Sequence, residues 1–199
     1  MRTKKIKQAS SGVTNSSFVT KENNMIKADK PLHLEIGSGK GQFIYGLASL
    51  HQENDYVAVE KDINVAYRIV QKQEEQPLNN LYIINDDALH LEKYFEKHSI
   101  STLYLNFSDP WPKTRHHKRR LTFPTFLKLY KQFLTKDGII ELRTDHLELF
   151  NDSIGYFESE GFIITKISYD SPIGESISEY ETKKRLLGPI YSLKAKLEA

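Results

Sequence analysis

From Leu32 onward the chain alternates short apolar runs with stretches that repeat an apolar position every three or four residues. The runs LHLEI (32–36), YVAVE (56–60), LYIIN (81–85), STLYLNF (101–107), DGIIELRT (137–144), FIITKISY (162–169) and PIYSLKAKL (189–197) read as seven β-strands. Between them, QFIYGLASL (42–50) places Phe43, Leu47 and Leu50 on one face, and INVAYRIVQKQ (63–73) does the same with Val65 and Ile69. LEKYFEKH (91–98) groups Leu91, Tyr94 and Phe95, and FPTFLKLYKQFL (123–134) groups Phe126, Tyr130, Phe133 and Leu134. These spacings predict helices. HLELFNDSIGYFESEG (146–161) predicts a fifth, stopped by Gly161. Strands that alternate with helices this regularly predict an α/β fold with a mostly parallel sheet and helices on both faces. The last two strands have no helix between them, so an antiparallel pairing is expected there.

Residues 1–28 are rich in Lys, Ser, Thr and Asn and show no sustained periodicity, so they read as a flexible basic N-terminal arm. Residues 29–199 then form one domain. The chain contains no Cys, which excludes disulfides, thiolate zinc sites and Cys nucleophiles and fits a cytoplasmic setting. No apolar run approaches the ~20 residues of a membrane span, so no membrane partner is expected. The formal net charge is only +2. The distribution of charge therefore carries more information than its total.

In open α/β sheets ligands bind beyond the carboxyl ends of the strands, which makes the polar residues there informative. The first strand runs into EIGSGKG (35–41). Its glycines let a backbone approach a ligand closely at a helix N-terminus. A phosphate loop would need Ser or Thr after Lys40, where Gly41 stands, and the dinucleotide fingerprint would need Gly in place of Gln42. An acid two residues before Gly37-x-Gly39-x-Gly41 suits S-adenosylmethionine (SAM), and Glu35 is that acid. Glu60 ends the second strand, where a carboxylate can accept both hydroxyl hydrogens of a ribose. Asp86-Asp87-Ala88 follows the third, where an acid can take an adenine amine and Ala88 leaves room for the ring.

The fourth strand runs into NFSDPWP (106–112). Pro110 and Pro112 stiffen this turn, which carries the Asp109 carboxylate and the only tryptophan, Trp111. Lys113 and then Arg115, His116, His117, Lys118, Arg119 and Arg120 follow directly. An acid that handles a base, set beside cations that hold phosphates, predicts a nucleic-acid substrate. Adjacent His116 and His117 point differently, so no metal is expected. Asp145 follows the fifth strand. ISEYETKKR (177–185) supplies carboxylates and a ring of the kind that reads base edges, on a segment otherwise read as a surface loop.

The segments NFSDPWPK (106–113) and KRRL (118–121) resemble the bacterial tRNA (guanine-N7-)-methyltransferase family, and the resemblance covers roughly residues 31–193. It implies the Rossmann-like class I SAM-dependent methyltransferase fold, with a seven-stranded, mostly parallel sheet and an antiparallel last strand. It also implies methylation of a guanosine in the tRNA variable loop, with S-adenosylhomocysteine as product and Asp109 as the catalytic carboxylate. By position, Glu35, Glu60, Asp87 and Asp109 match the family's cofactor-contacting acids, with Gly37, Gly39 and Ala88 beside them. Lys113 and Asp145 match substrate contacts. Ser178-Glu179-Tyr180-Glu181 matches a T-x-Y-E substrate segment, with Ser where Thr is usual. The expected partner is tRNA, engaged by a monomer or a homodimer. Two rival readings are an amino-group nucleic-acid methyltransferase, whose Asp/Asn-Pro-Pro-aromatic turn residues 109–112 only partly resemble, and a non-catalytic RNA-binding subunit with a relic SAM pocket.

Overall fold

The computed structural model describes residues 5–197. The chain divides into two compact units, residues 1–96 with 175–178 and residues 97–174 with 179–199. The first holds helices α1 (Ala9–Asn15), α2 (Gln42–Leu50) and α3 (Ile63–Glu75) and strands β1 (Leu32–Ile36), β2 (Asp55–Val59) and β3 (Leu81–Ile84). The three strands pair in parallel, with Leu34 opposite Val57 and Val57 opposite Tyr82. Every residue of β2 is buried, as a parallel strand covered on both faces requires. Asp62 caps α3, its carboxylate accepting from Asn64 N at 2.9 Å, and the helix buries Ala66, Ile69 and Val70.

The second unit holds β4 (Ile100–Asn106), α4 (Pro124–Phe133), β5 (Leu134–Thr144), α5 (Leu147–Ser159), β6 (Phe162–Ser168), α6 (Glu179–Arg185) and β7 (Tyr191–Leu197). β4 and β5 are parallel, and β7 pairs antiparallel with both β5 and β6. Pro124 opens α4, where its missing N–H costs nothing. The sheet order is β3-β2-β1-β4-β5-β7-β6, a seven-stranded, mostly parallel sheet with the expected antiparallel last strand. Among the described residues no helix is long and apolar enough to cross a membrane.

Three elements differ from expectation. Residues 9–26 are not a loose arm: α1 packs on α3, and Ala9, Val13, Val19 and Ile26 are buried. Ile6 N donates to Asn64 Oδ1 at 2.8 Å, and a Cβ on Gly12 would stand 2.1 Å from the Tyr67 ring, so the helix lies flush on its neighbour. Four apolar anchors in 18 residues are too few to register as periodicity. Met1–Lys4, the start of that arm, lie outside the described residues. The predicted helix at 91–98 is instead a 3-10 helix over Ala88–Lys93 capped by Asp87, after which Tyr94 and Phe95 are buried without helical backbone. Lastly, 179–185 is helical and not a loop, with Glu179 and Glu181 in its first turn and Lys183, Lys184 and Arg185 in its last, as the helix dipole favours.

The packing of α1 predicts that Val13→Asp will destabilise the protein by at least about 1.5–3 kcal/mol, the burial energy of the lost side chain. Urea unfolding together with limited proteolysis checks this. A loose arm would leave the midpoint unmoved and would already be cut in the wild type.

Candidate functional site

In the first unit the turn after β1 is stitched to the end of β2. Gly37 N and Ser38 N donate to Val59 O at 2.8 and 3.1 Å, and Ser38 Oγ donates to the same oxygen at 3.1 Å. Gly37, Gly39 and Gly41 have φ of 75°, 56° and 71°, the left-handed region that glycine enters without strain. The last two serve different ends. A Cβ on Gly41 would meet Ile69 at 2.9 Å, whereas one on Gly39 would meet nothing within 4 Å. Gly41 lets α3 close in, and Gly39 turns bare backbone toward open space at the head of α2.

Glu60 joins that turn. Its Oε2 accepts from Gly39 N at 3.0 Å and its Oε1 from Asp62 N at 2.9 Å. Burial pushes its carboxyl above the ordinary glutamate value of 4.5, and the two backbone donors offset only part of that. Glu35 is buried at the end of β1. Of the paired acids after β3, Asp86 is engaged internally: it accepts from Tyr94 OH at 3.0 Å and from Asp87 N at 2.7 Å, and it lies 2.8 Å from His90 Nδ1. Burial alone would raise its pKa, but these hydrogen bonds outweigh it and hold the group below its ordinary value. Asp87 caps the following turn with one oxygen, accepting from Leu89 N at 3.0 Å, and is partly exposed beside buried Ala88. The open glycine backbone, the Glu60 carboxylate and Asp87 form a donor and acceptor set that fits a nucleoside carrying an amino-acid tail, as SAM does. Ser178 falls in the segment assigned to this unit, where Ser176 Oγ donates to Phe43 O at 2.8 Å.

In the second unit the turn after β4 holds Asp109 exposed between two aromatic residues in the left-handed region, Phe107 at φ 50° and Trp111 at φ 41°. Such backbone costs on the order of 1–3 kcal/mol per residue and persists only where its surroundings enforce it. Proline biases the residue before it toward extended backbone, so Pro112 alone would favour an extended Trp111, and the structure departs from that bias. Trp111 is half-exposed and not a core residue. Arg119 lies over its ring at 4.9 Å, and His116 meets it edge-on at 5.8 Å. Lys113, Arg115, Lys118 and Arg119 are exposed, as phosphate contacts must be.

Arg120 corrects the sequence reading. It was expected among the RNA-binding cations, but its side chain is 0% exposed. Its Nε donates to Pro110 O at 2.7 Å, its Nη1 to Asp152 Oδ2 at 2.5 Å and its Nη2 to Glu148 Oε1 at 3.3 Å. His117, also expected to meet RNA, is half-buried with its Nε2 2.9 Å from Arg120 Nη2. His117, Glu148 and Asp152 place one ligand atom each within 4.8 Å of one another, a metal-like spacing that the guanidinium already fills.

At α6, Glu181 also departs from its assignment as a substrate contact. It is 1% exposed, and its Oε1 accepts from Arg143 Nη2 and Arg185 Nη2, both at 2.6 Å. The same two arginines bind Ser171 and Pro172 O. Arg143, which the sequence reading passed over, stands two residues before Asp145, and a cation at a strand end was its available signal. Asp145 Oδ2 accepts from Lys184 Nζ at 2.7 Å, and Lys184 also lies 5.1 Å over the ring of Tyr180. The bond to Asp145 is the main cause that raises the Lys184 pKa. Tyr180 stays 47% exposed, with Phe107 at 5.3 Å behind it, and Glu179 is exposed.

Comparison with known proteins places the chain. A family model described as "Putative methyltransferase" matches residues 29–192. A tRNA (guanine-N(7)-)-methyltransferase from an Exiguobacterium species is 45% identical over 172 residues, 84% of this chain and 80% of the relative. One from Bacillus velezensis is 42% identical, over 85% and 80%. The solved structure of a SAM-dependent methyltransferase from Aquifex aeolicus superposes with a TM-score of 0.62 at 11% identity, over 86% of this chain and 85% of that one, a likeness of fold. With identity at this level across most of its length, the chain belongs to the tRNA (guanine-N(7)-)-methyltransferase family.

Proposed function

We propose that the chain methylates N7 of a guanine in tRNA with SAM as donor, the target being the variable-loop guanosine that the family resemblance implies. The observation that carries this reading is the second unit's exposed carboxylate, Asp109, on a strained turn that runs directly into exposed cations. Bound SAM supplies an electrophilic methyl group on a sulfonium. Glu60 accepts from the ribose hydroxyls, Asp87 takes the adenine amine over Ala88, and Glu35 supports the glycine turn, whose open backbone at Gly39 receives the amino-acid end. Guanine N7 keeps an available lone pair at neutral pH, so no proton must leave before attack. The chain therefore needs positioning more than a strong base, and orientation alone can be worth about 7–11 kcal/mol. Asp109 is the orienting carboxylate. Lys113, Asp145, Glu179 and Tyr180 hold the base, with Ser178 at the start of their segment, and Arg115, Lys118 and Arg119 hold phosphates. His116 braces Trp111 among them. The reading invokes no metal, because the metal-like trio already surrounds Arg120. A cytoplasmic enzyme acting on tRNA fits the absence of cysteine. Nucleoside mass spectrometry of unmodified tRNA incubated with the protein and SAM tests the whole reading: 7-methylguanosine supports it, and a methylated amino group would replace it.

The Glu60 pKa sets a pH dependence with a definite sign. Hydroxyl donors favour the ionised carboxylate, so binding should expel a proton wherever free Glu60 is still partly protonated. Affinity for S-adenosylhomocysteine should rise with pH through the elevated Glu60 pKa and level off above it. Calorimetry in buffers of different ionisation enthalpy measures the released proton. Glu60→Gln should bind more weakly and lose that dependence, and a Gln variant that keeps it would move the role to another group.

For Asp109→Asn, the fold and much of the tRNA affinity should persist while single-turnover transfer falls by at least ~10²-fold, the scale of a small misplacement. The wild-type rate should be nearly flat from mildly acidic to mildly basic pH. A rate that climbs with pH would reveal an essential base.

The exposed cations make a third expectation. Lys118→Ala or Arg119→Ala should weaken binding to all tRNAs alike and shrink the log-affinity against log-salt slope by roughly 0.7–1 per contact removed. Filter binding across a salt series measures it. An unchanged slope would place the residue off the RNA path.

A further inference from the structure

Arg120 is the most deeply buried cation of the second unit, and its bonds run in two directions. One reaches Pro110 O, the carbonyl directly after Asp109, at 2.7 Å. The others reach Asp152 and Glu148, both on α5, and His117. Arg120 N also donates to His117 O at 2.9 Å, so the residue's own backbone closes the 3-10 helix over Thr114–Arg119. Because the guanidinium can only donate, His117 Nε2 must accept, and this fixes the His117 proton on Nδ1, 3.9 Å from Asp152. α5 in turn packs within the second unit through buried Leu149, Phe150 and Phe157. The turn that Arg120 holds is the one whose flanking residues, Phe107 and Trp111, occupy left-handed backbone. A strained turn on an exposed loop relaxes unless something rigid opposes it. Phe107 N donates to Arg143 O at 2.8 Å at the start of the turn, and the bond from Arg120 to Pro110 O ties its far side to a helix.

We propose that Arg120 is a positioning residue for methyl transfer. It fixes the Asp109 turn by bridging Pro110 O to the Asp152 and Glu148 carboxylates of α5, and it does not contact RNA. The proposal rests on the reading of Asp109 as the orienting carboxylate. It separates Arg120 from its neighbours Lys118 and Arg119, which share its charge and its motif but point to solvent. A lysine cannot replace it. One ammonium cannot reach the carbonyl and two carboxylates with the planar fork that a guanidinium offers.

The test uses the full-length protein and the chain's single tryptophan, which sits on the turn in question and so makes intrinsic fluorescence a local probe. Arg120→Ala and Arg120→Lys should both expose Trp111 to acrylamide quenching and cut single-turnover transfer by about 10²-fold. S-adenosylhomocysteine affinity and the salt slope of tRNA binding should stay at wild-type values. Added methylguanidinium should partly restore both rate and quenching in Arg120→Ala but not in Arg120→Lys, where the ammonium blocks the site. Should Arg120→Ala fail to fold, Asp152→Asn keeps the shape and removes one anchor, and it should show the same pair of changes in milder form. Two results overturn the proposal: a salt slope reduced as in Arg119→Ala, which would make Arg120 a phosphate contact, or wild-type quenching and rate in both Arg120→Lys and Asp152→Asn. If Asp109→Asn itself transfers at the wild-type rate, the functional reading of Asp109 fails, and the Trp111 quenching still decides whether Arg120 holds the turn.

Discussion

A charge taken out of water must be met by opposite charge and hydrogen bonds, and the second unit is arranged around two such groups. Arg120 and Glu181 are both essentially inaccessible, and each draws partners from elements distant in sequence. Removing one partner from a buried pair leaves a charge that neither water nor protein stabilises, a cost of about 3–5 kcal/mol. Loss of the buried member, Arg120 or Glu181, strips several partners at once, whereas loss of a single partner leaves the others in place. The turn after β4, the 3-10 helix behind it and α5 stand or fall together through Arg120. α6, the end of β5 and the Ser171-Pro172 loop do so through Glu181. Buried ion pairs are weak evidence for stability, but they specify geometry well, since the planar guanidinium accepts its partners in few orientations.

The first unit works by other means. Its strands are mostly apolar, with His33 and Glu35 in β1 and Asp55 opening β2 as the exceptions, and most of the polar groups that face the glycine turn come just after the strand ends. Glu60 is the link, since its two oxygens tie the glycine turn after β1 to the start of α3. Burial desolvates that carboxylate and raises its pKa, and the two bonds that orient it offset only part of the rise.

Most of the strands were legible in the sequence because parallel strands are short, apolar and bounded by polar residues: β1 falls on the predicted 32–36, and the others lie within a few residues. The candidate positions were picked by a related rule, that ligands of open α/β sheets bind beyond the strand ends. What escaped the sequence was burial that depends on partners far along the chain. Arg120 sits in a run of cations and looks like its neighbours, and only Asp152 and Glu148, some thirty residues later, turn it inward. Glu181 looks like a surface acid until Arg143 and Arg185 are known to close on it. The left-handed conformation of Trp111 was equally hidden, because Pro112 biases it toward extended backbone and only the bonded surroundings override that bias, and nothing local in the sequence marks Phe107 for the same region.

The N-terminal segment has a consequence beyond its own packing. β3 is the outermost strand of its end of the sheet, and Phe18 to Thr20 lie along it, with Thr20 N donating to Ile83 O at 2.8 Å, Ile83 N to Phe18 O at 3.2 Å, and Val19 bridging Ile83 in parallel. Stripped of that cover, Leu81 to Ile84 would offer a ladder of unsatisfied donors and acceptors on an almost wholly apolar strand, a template for a second chain to extend. A segment that composition marks as a flexible arm is thus the seal on the sheet's edge, and trimming it would open that edge to pairing with another chain.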